Sequence, residues 1–380
     1  MCSPHIAFVI PSLSIGGAEK SLCLLANALA SHGYKISIVC FRNEGLLRDM
    51  LKPCVDFHGC GNRSSSDPLL WIKLRSLFGT INPDVLFGWS TYANMVVSIV
   101  SRMVKQRHRV ILSERNYPPE MFARGNPRRN IENRVTLALI KMLYKKADMI
   151  TANSLKNIKF MKKYVGSGPG YKYLPNIIDV AHVQKAGSEE VDDLPRYSMK
   201  PRLLAVARLE YQKGIDTLIL AMARIREERD WCVRIIGDGP ERRRLEAMVV
   251  QHGLVGTVRF LGERKNPYPY YAWADIIVVP SRFEGFPNVI LEGMATKCAV
   301  VATDCDTGPR EIIESGVSGV LVPVDDPPAL ASAILRLGNN PQVREQLAEQ
   351  GYVTIVKKHS SEAVGRYAAA CIKDIVSSAG

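Results

Sequence analysis

Residues 275–295 constrain the fold more than any other stretch of the chain. Asp275-Ile-Ile-Val-Val279 is a short β-branched run of the kind that forms a strand buried on both faces of a parallel sheet. Pro280-Ser-Arg-Phe-Glu-Gly-Phe286 then turns the chain, and Pro287 opens a helix. Its fixed φ suits the first helical turn, where its missing N–H is not needed. A strand, a glycine-containing loop and a helix start pointing back across the strand end make an anion site in open α/β sheets. Glu284 lies on that loop and Glu292 on that helix. Two carboxylates are out of place beside a bare phosphate and suit a ligand that also offers hydroxyl donors. An isolated Glu pair is usually a solvated surface feature, so the reading rests on the residues around it.

Strands alternate with helical patterns along the rest of the chain. Strand runs are expected at 5–10, 36–41, 84–89, 109–113, 148–152, 202–207, 231–236, 257–262, 299–302 and 319–322. That alternation predicts an α/β protein with two doubly wound, Rossmann-like parallel sheets. A length of 380 residues allows two cores of ordinary size. The first domain is expected over 1–180, rejoined by a last helix at 360–380, with the second over 201–359. The acidic stretch Gly187–Pro195 lies within a linker expected at 181–200.

Several loops at expected strand ends carry residues suited to phosphates. Gly16-Gly17 follows the first strand, where a glycine pair lets the backbone approach a pyrophosphate closely. Arg208 and Lys213 stand five apart after the strand at 202–207, so each cation can neutralise a different phosphate. Ser90, Thr91 and Asn94 follow the strand at 84–89, where they can contact a ligand or cap the next helix. Glu114, Arg115 and Tyr117 follow the strand at 109–113; an arginine is no candidate general base, since its ordinary pKa lies above about 12. Neither a metal nor another cofactor is expected.

Charge and cysteine usage narrow the setting. The net charge of +13 resides entirely in Arg102–Lys172, which holds 17 Lys and Arg against 4 Asp and Glu. Val135, Leu137, Leu139, Ile140 and Leu143 alternate there with Arg134, Lys141, Lys145 and Lys146, on an amphipathic helix expected at 132–147. This predicts peripheral attachment to an anionic membrane. The segment lacks a nucleic-acid recognition motif and has few interleaved aromatics, which argues against nucleic acid as a partner. No apolar run is long enough to span a bilayer. Nine scattered cysteines without a C-x2-C pair favour a reducing, cytoplasmic location, here at the inner face of the cytoplasmic membrane.

The PSRFEGFPNVILEGMA stretch, with Glu284 and Glu292 as E-x7-E, resembles family 4 of the retaining GT-B glycosyltransferases, also described as glycosyl transferases group 1. GGAE at 16–19, LPNIID at 174–179, GDGP at 237–240 and GPRE at 308–311 resemble other motifs of that family, so the resemblance covers nearly the whole chain. It implies a GT-B fold, two Rossmann-like domains facing each other across a cleft. It also implies a hexosyltransferase using a nucleotide-diphosphate sugar, with UDP favoured, in assembly of bacterial polysaccharide or lipid-linked oligosaccharide on a polyprenyl-diphosphate acceptor.

Carried onto this chain, the resemblance gives Glu284, Arg208, Lys213 and Arg115 catalytic roles. It assigns the donor to Gly16, Gly17, Gly237, Asp238, Gly239, Arg264, Lys265, Phe286, Pro287, Asn288, Val289 and Glu292. It leaves Ser90, Thr91, Asn94, Glu114 and Tyr117 for the acceptor. Many relatives have histidine where this chain has Arg115, so that role departs from the family pattern. The fold also carries sugar-nucleotide epimerases and GDP-mannose-type transferases, which stand as alternatives.

Overall fold

The computed structural model describes residues 3–14, 16–43, 45–61, 67, 69–118, 127–195 and 201–377. The chain divides into two compact units, Met1–Ile177 with Ser361–Gly380, and Ile178–Ser360.

In the first unit, β1 (His5–Ile10), β2 (Lys35–Cys40), β3 (Val55–Gly59), β4 (Val85–Trp89), β5 (Arg109–Glu114), β6 (Met149–Ala152) and β7 (Gly170–Tyr173) form one parallel sheet. Their order is β3-β2-β1-β4-β5-β6-β7. Strand residues alternate between faces, and β1 has an apolar partner on each. Ile6, Phe8 and Ile10 join a core with Leu22, Leu25 and Leu29 of α1 (Gly17–Ser31) and Ile372 of the last helix (Ser361–Ser377). Ala7 and Val9 join another with Leu70 and Leu74 of α2 (Leu69–Ile81), Val96 and Val97 of α3 (Thr91–Val100), and Ile140 of α4 (Pro127–Leu143). The Tyr34 hydroxyl donates to the Ala369 carbonyl at 3.1 Å, tying the last helix to the end of α1.

The basic helix differs from expectation. It begins at Pro127 and gives way to a 3₁₀ turn at Tyr144–Lys146, which hands the chain to β6. Its expected apolar face also divides, because Ile140 and Leu143 are core residues. The apolar surface beside the cations is instead Ile131, Val135 and Met142, all more than half exposed. No described helix is long and apolar enough to cross a membrane.

In the second unit, β8 (Arg202–Val206), β9 (Cys232–Ile236), β10 (Val258–Gly262), β11 (Ile276–Val279), β12 (Ala299–Thr303) and β13 (Val320–Val322) form a parallel sheet ordered β10-β9-β8-β11-β12-β13. The helices Ile215–Ile225 and Pro327–Asn339 bury Leu218, Met222, Leu330 and Ile334 on one face of that sheet. On the other face lie Tyr271 of the helix Tyr268–Trp273, and Ile290 and Met294 of the helix Asn288–Ala295.

The stretch expected as linker is largely structured where it is described. Asp179 caps a helix at Val180–Gly187, its side chain accepting from the His182 N–H at 2.9 Å. Further on, Asp193 accepts from Arg264 at 2.5 Å. The acidic stretch is expected as part of a linker, but the Asp193–Arg264 pair ties it to the second unit. Residues 196–200 lie outside the described residues.

Strand order reverses direction between β1 and β4 in one sheet and between β8 and β11 in the other. Ligands of open α/β sheets bind at such points, beyond the carboxyl ends of the strands.

Candidate active site

Three loops of the second unit converge beyond β8, β9 and β11, and two glycines let them do so. Gly237 after β9 has φ +124°, and a Cβ there would stand 1.9 Å from the Ala207 carbonyl oxygen. Gly214 after β8 has φ +60°, and its Cβ would stand 2.0 Å from the Pro280 carbonyl oxygen. Both positions need glycine on conformational and steric grounds. The loops are then stitched together. Leu209 N–H donates to the Asp238 carbonyl at 2.8 Å, Arg282 N–H to the Gln212 carbonyl at 2.8 Å, and the Gln212 amide to the Phe283 carbonyl at 2.9 Å.

Glu284 sits inside this junction, 6% exposed. Lys213 Nζ and Ser281 Oγ each donate to its Oε1 at 2.7 Å, so the buried carboxylate has both a cation and a hydroxyl. Thr307 Oγ1 donates to the Glu284 carbonyl and fixes the backbone at the same point. Glu292 is half-buried on the following helix and accepts from the Tyr271 hydroxyl at 2.9 Å. Burial, with the Glu292 charge adding to it, pushes the Tyr271 hydroxyl well above its ordinary range, so it stays a donor.

Arg208 projects into solvent from the same junction, its side chain 67% exposed, and meets Glu210 at 3.1 Å. Arg282 is locked between Asp216 at 3.0 Å and Asp325 at 2.8 Å, with its guanidinium 4.0 Å from the Tyr211 ring centre. The arrangement therefore holds one buried carboxylate, one half-buried carboxylate, an exposed guanidinium and an ammonium at a helix start. Such a set can hold hydroxyls and phosphate oxygens at once.

Other expected donor residues fall around this centre. Pro287 is buried at the cap position, one residue before the helix, with Asn288 and Val289 half-buried in its first turn. Phe286 packs 5.7 Å from the His359 ring. Asp238 accepts from the Gly239 N–H and from Arg242, each at 2.7 Å, and these bonds hold its carboxyl below the usual range. Lys265 is exposed. Arg264, expected at the donor, donates to Asp193 and to the Tyr270 hydroxyl. Its fork is thus occupied by this unit's own chain.

In the first unit, Gly17 is exposed at the start of α1 and Gly16 precedes it. Glu19 folds back over Gly16, where an added Cβ would meet Glu19 Oε2 at 2.2 Å. Burial raises the Glu19 carboxyl, although its own N–H bonds to it. Tyr117 stands edge-on to Phe160 at 5.7 Å, with Lys156 Nζ 5.1 Å above its ring. Residues 119–126, next to the expected acceptor entry, lie outside the described residues.

The expectation for Asn94 and Glu114 at the acceptor is corrected here. Both are fully buried, and Glu114 accepts from Asn94 at 2.9 Å, from Thr91 at 2.7 Å and from Tyr144. Neither presents an atom to a ligand, and burial raises the Glu114 carboxyl despite these donors. Ser90 does not cap α3 with its side chain; its φ is +111°, and its buried Oγ has no partner among the described residues. Arg115 is likewise enclosed, at 4% exposure, with its terminal nitrogens bonded inside the unit. Its guanidinium, expected to be catalytic, is thus engaged by the first unit's own chain.

The sequence reading missed Tyr271, Ser281 and Arg282 as site-building residues. Ser281 and Arg282 lie in the motif itself, while Tyr271 belongs to a six-residue helix with no periodic signal. Among the described residues no three His, Cys, Asp or Glu side chains cluster closely enough to hold a metal ion.

Comparison with known proteins agrees with this picture in both units. A family model described as Glycosyltransferase Family 4 matches residues 15–182, and one described as Glycosyl transferases group 1 matches residues 200–340. The lipopolysaccharide core biosynthesis glycosyltransferase LpsD of Rhizobium meliloti is 31% identical over 350 residues, 92% of each chain. An N-acetylgalactosamine-N,N'-diacetylbacillosaminyl-diphospho-undecaprenol 4-alpha-N-acetylgalactosaminyltransferase of Campylobacter jejuni is 29% identical over 329 residues, 84% of this chain and 86% of that one. Anabaena HepE, solved in complex with UDP, superposes with a TM-score of 0.77 at 21% identity, covering 97% of this chain and 100% of that one.

Proposed function

Because the chain belongs to the family 4 (group 1) glycosyltransferases of GT-B fold, we propose that it is a retaining transferase acting on a lipid-linked acceptor. The donor is a nucleotide-diphosphate hexose or N-acetylhexosamine, with UDP as the favoured nucleotide. The observation that carries this reading is Glu284, a buried carboxylate held by Lys213 and Ser281 at a helix start, with Glu292 eight residues on. In this account Glu292, oriented by Tyr271, accepts from the ribose hydroxyls, and Glu284 accepts from a hydroxyl of the sugar.

Lys213, Arg208 and the helix start take up charge as the diphosphate leaves. The C–O bond to the diphosphate breaks, an acceptor hydroxyl attacks the oxocarbenium-like carbon from the same face, and its proton departs with the diphosphate. Catalysis is then mainly positioning and charge stabilisation, with no metal or other cofactor in the scheme. UDP is favoured because HepE was solved with it. A polyprenyl-diphosphate acceptor is favoured because the Campylobacter relative is named for one.

Attachment to the inner face of the cytoplasmic membrane belongs to the same reading. Ile131, Val135 and Met142 stand exposed on α4 at helical spacing. They lie beside the exposed Arg134, Lys141 and Lys145, in the segment that carries the whole net charge. An apolar stripe flanked by cations suits an anionic bilayer surface.

The test is consumption of UDP-, GDP- and dTDP-sugars with and without a polyprenyl-diphosphate-linked sugar. Acceptor-dependent release of UDP supports the proposal. Equal consumption without acceptor would identify an epimerase, and release confined to GDP-sugars would replace the nucleotide.

A further inference from the structure

Arg115 is a buried cation that nothing among the described residues neutralises. It follows β5 at 4% exposure. Nη1 donates to the Leu174 carbonyl at 3.1 Å and to Ser113 Oγ at 3.5 Å, while Nη2 donates to Ser21 Oγ at 3.2 Å and to Asn176 Oδ1 at 2.5 Å. Nε is buried without a partner among the described residues. The guanidinium stacks 4.2 Å from the Trp89 ring centre. Every one of these partners is neutral. Glu114, the adjacent residue, gives its carboxylate to Thr91, Asn94 and Tyr144 instead.

A buried charge without a counter-ion is costly, and packing alone would be served as well by an apolar side chain of similar volume. The place of the contacts indicates what the arginine does. Its bond to Ser21 and the bond from Trp89 Nε1 to the Ala18 carbonyl, at 2.9 Å, both land on the first turns of α1. Trp89 is held in turn beneath the guanidinium. The bonds to Leu174 and Asn176 reach the chain that follows β7.

We propose that Arg115 is a positioning residue that clamps the start of α1 to the ends of β4, β5 and β7, and thereby sets the Gly16–Gly17 loop for catalysis. The clamp itself stands on these contacts. Its catalytic consequence rests on the glycosyl-transfer reading together with the assignment of Gly16 and Gly17 to the donor that the family resemblance implies. Burial lowers the guanidinium to about 9, so it remains charged at neutral pH.

The experiment uses the full chain with Arg115→Lys and Arg115→Met, and Arg109→Gln as a control. Arg109 pairs with Asp148 at the opposite end of β5 and touches none of the site. Amide hydrogen exchange at residues 17–22, UDP affinity by calorimetry, and kcat and KM for the donor are measured on each. The expected result is exchange at least tenfold faster at residues 17–22 in both Arg115 variants. UDP affinity should stay within twofold of wild type, and kcat should fall at least thirtyfold in Arg115→Met and less in Arg115→Lys. Arg109→Gln should lose stability alone. Unchanged exchange in both Arg115 variants would overturn the clamp. Faster exchange with kcat within threefold of wild type would overturn its catalytic role. If Arg115→Met does not fold, Arg115→Lys decides by the same two criteria. A wild type inactive on every nucleotide-sugar would instead refute the glycosyl-transfer reading, while the exchange comparison would still judge the clamp.

Discussion

Replacing Arg208 by Ala should separate catalysis from folding in this protein. The side chain is 67% exposed and its ion pair to Glu210, at 3.1 Å, lies at the surface. A pair of that kind is worth about 0–1 kcal/mol, so the melting temperature should hardly move. If the guanidinium stabilises the departing diphosphate, its loss removes on the order of 2–4 kcal/mol of transition-state stabilisation. At 1.36 kcal/mol per factor of ten, that is roughly 30- to 1000-fold in rate.

Lys213→Ala provides the contrast. Its Nζ neutralises Glu284, whose side chain is only 7% exposed, and Ser281 would then be the one remaining donor to Oε1. An unsatisfied buried polar group costs about 1–3 kcal/mol, and a charged one more. This variant should therefore lose both rate and several degrees of melting temperature. The assays are thermal denaturation and initial rates of nucleotide release on the same preparations. Arg208→Ala with turnover within threefold of wild type would refute the diphosphate assignment. Lys213→Ala as stable as Arg208→Ala would refute the account of Glu284.

Two further outcomes test the first unit. Burial holds the Glu114 carboxyl above its unfolded value, so the folded state binds the proton more tightly. Its contribution is then fully present below the unfolded pKa and is lost as pH rises through the folded one. Urea unfolding should show the stability of wild type relative to Glu114→Gln falling as pH rises from about 4; a pH-independent difference would contradict this. Changing Ile131, Val135 and Met142 together to Ser should abolish pelleting with anionic vesicles. Changing the exposed Lys159, Lys162 and Lys163 to Glu should weaken it in a salt-dependent way, at about 1 kcal/mol per cation. Equal pelleting of wild type on neutral and anionic vesicles would leave the basic face merely solvated.

Elements buried on both faces were readable, because a run such as Ile276–Val279 must be apolar at every position. The edge strands Val55–Gly59 and Gly170–Tyr173 were not, since Val-Asp-Phe-His-Gly and Gly-Tyr-Lys-Tyr mix polar residues with half-exposed ones. At the site, the residue types around Glu284 were legible from the motif, but their engagement was not. Arg264 and Arg208 look alike in sequence, yet one is bound to Asp193 and the other is exposed. Ser90 at φ +111° occupies backbone space that favours glycine, and no neighbouring residue announces it. The enclosure of Glu114 and Arg115 depends on Tyr144 and Asn176, distant in sequence and brought in by the sheet order.

The central claim is that Glu292 and Glu284 divide the donor between them, one holding the nucleoside and the other the sugar. Calorimetric titration of wild type, Glu292→Gln and Glu284→Gln with UDP and with UDP-sugar tests this directly. Glu292→Gln should bind both ligands more weakly, by about 1–3 kcal/mol for a lost charge-assisted hydrogen bond. Glu284→Gln should bind UDP as wild type does and lose affinity for the UDP-sugar alone. Wild-type affinity for both ligands in both variants would contradict the account.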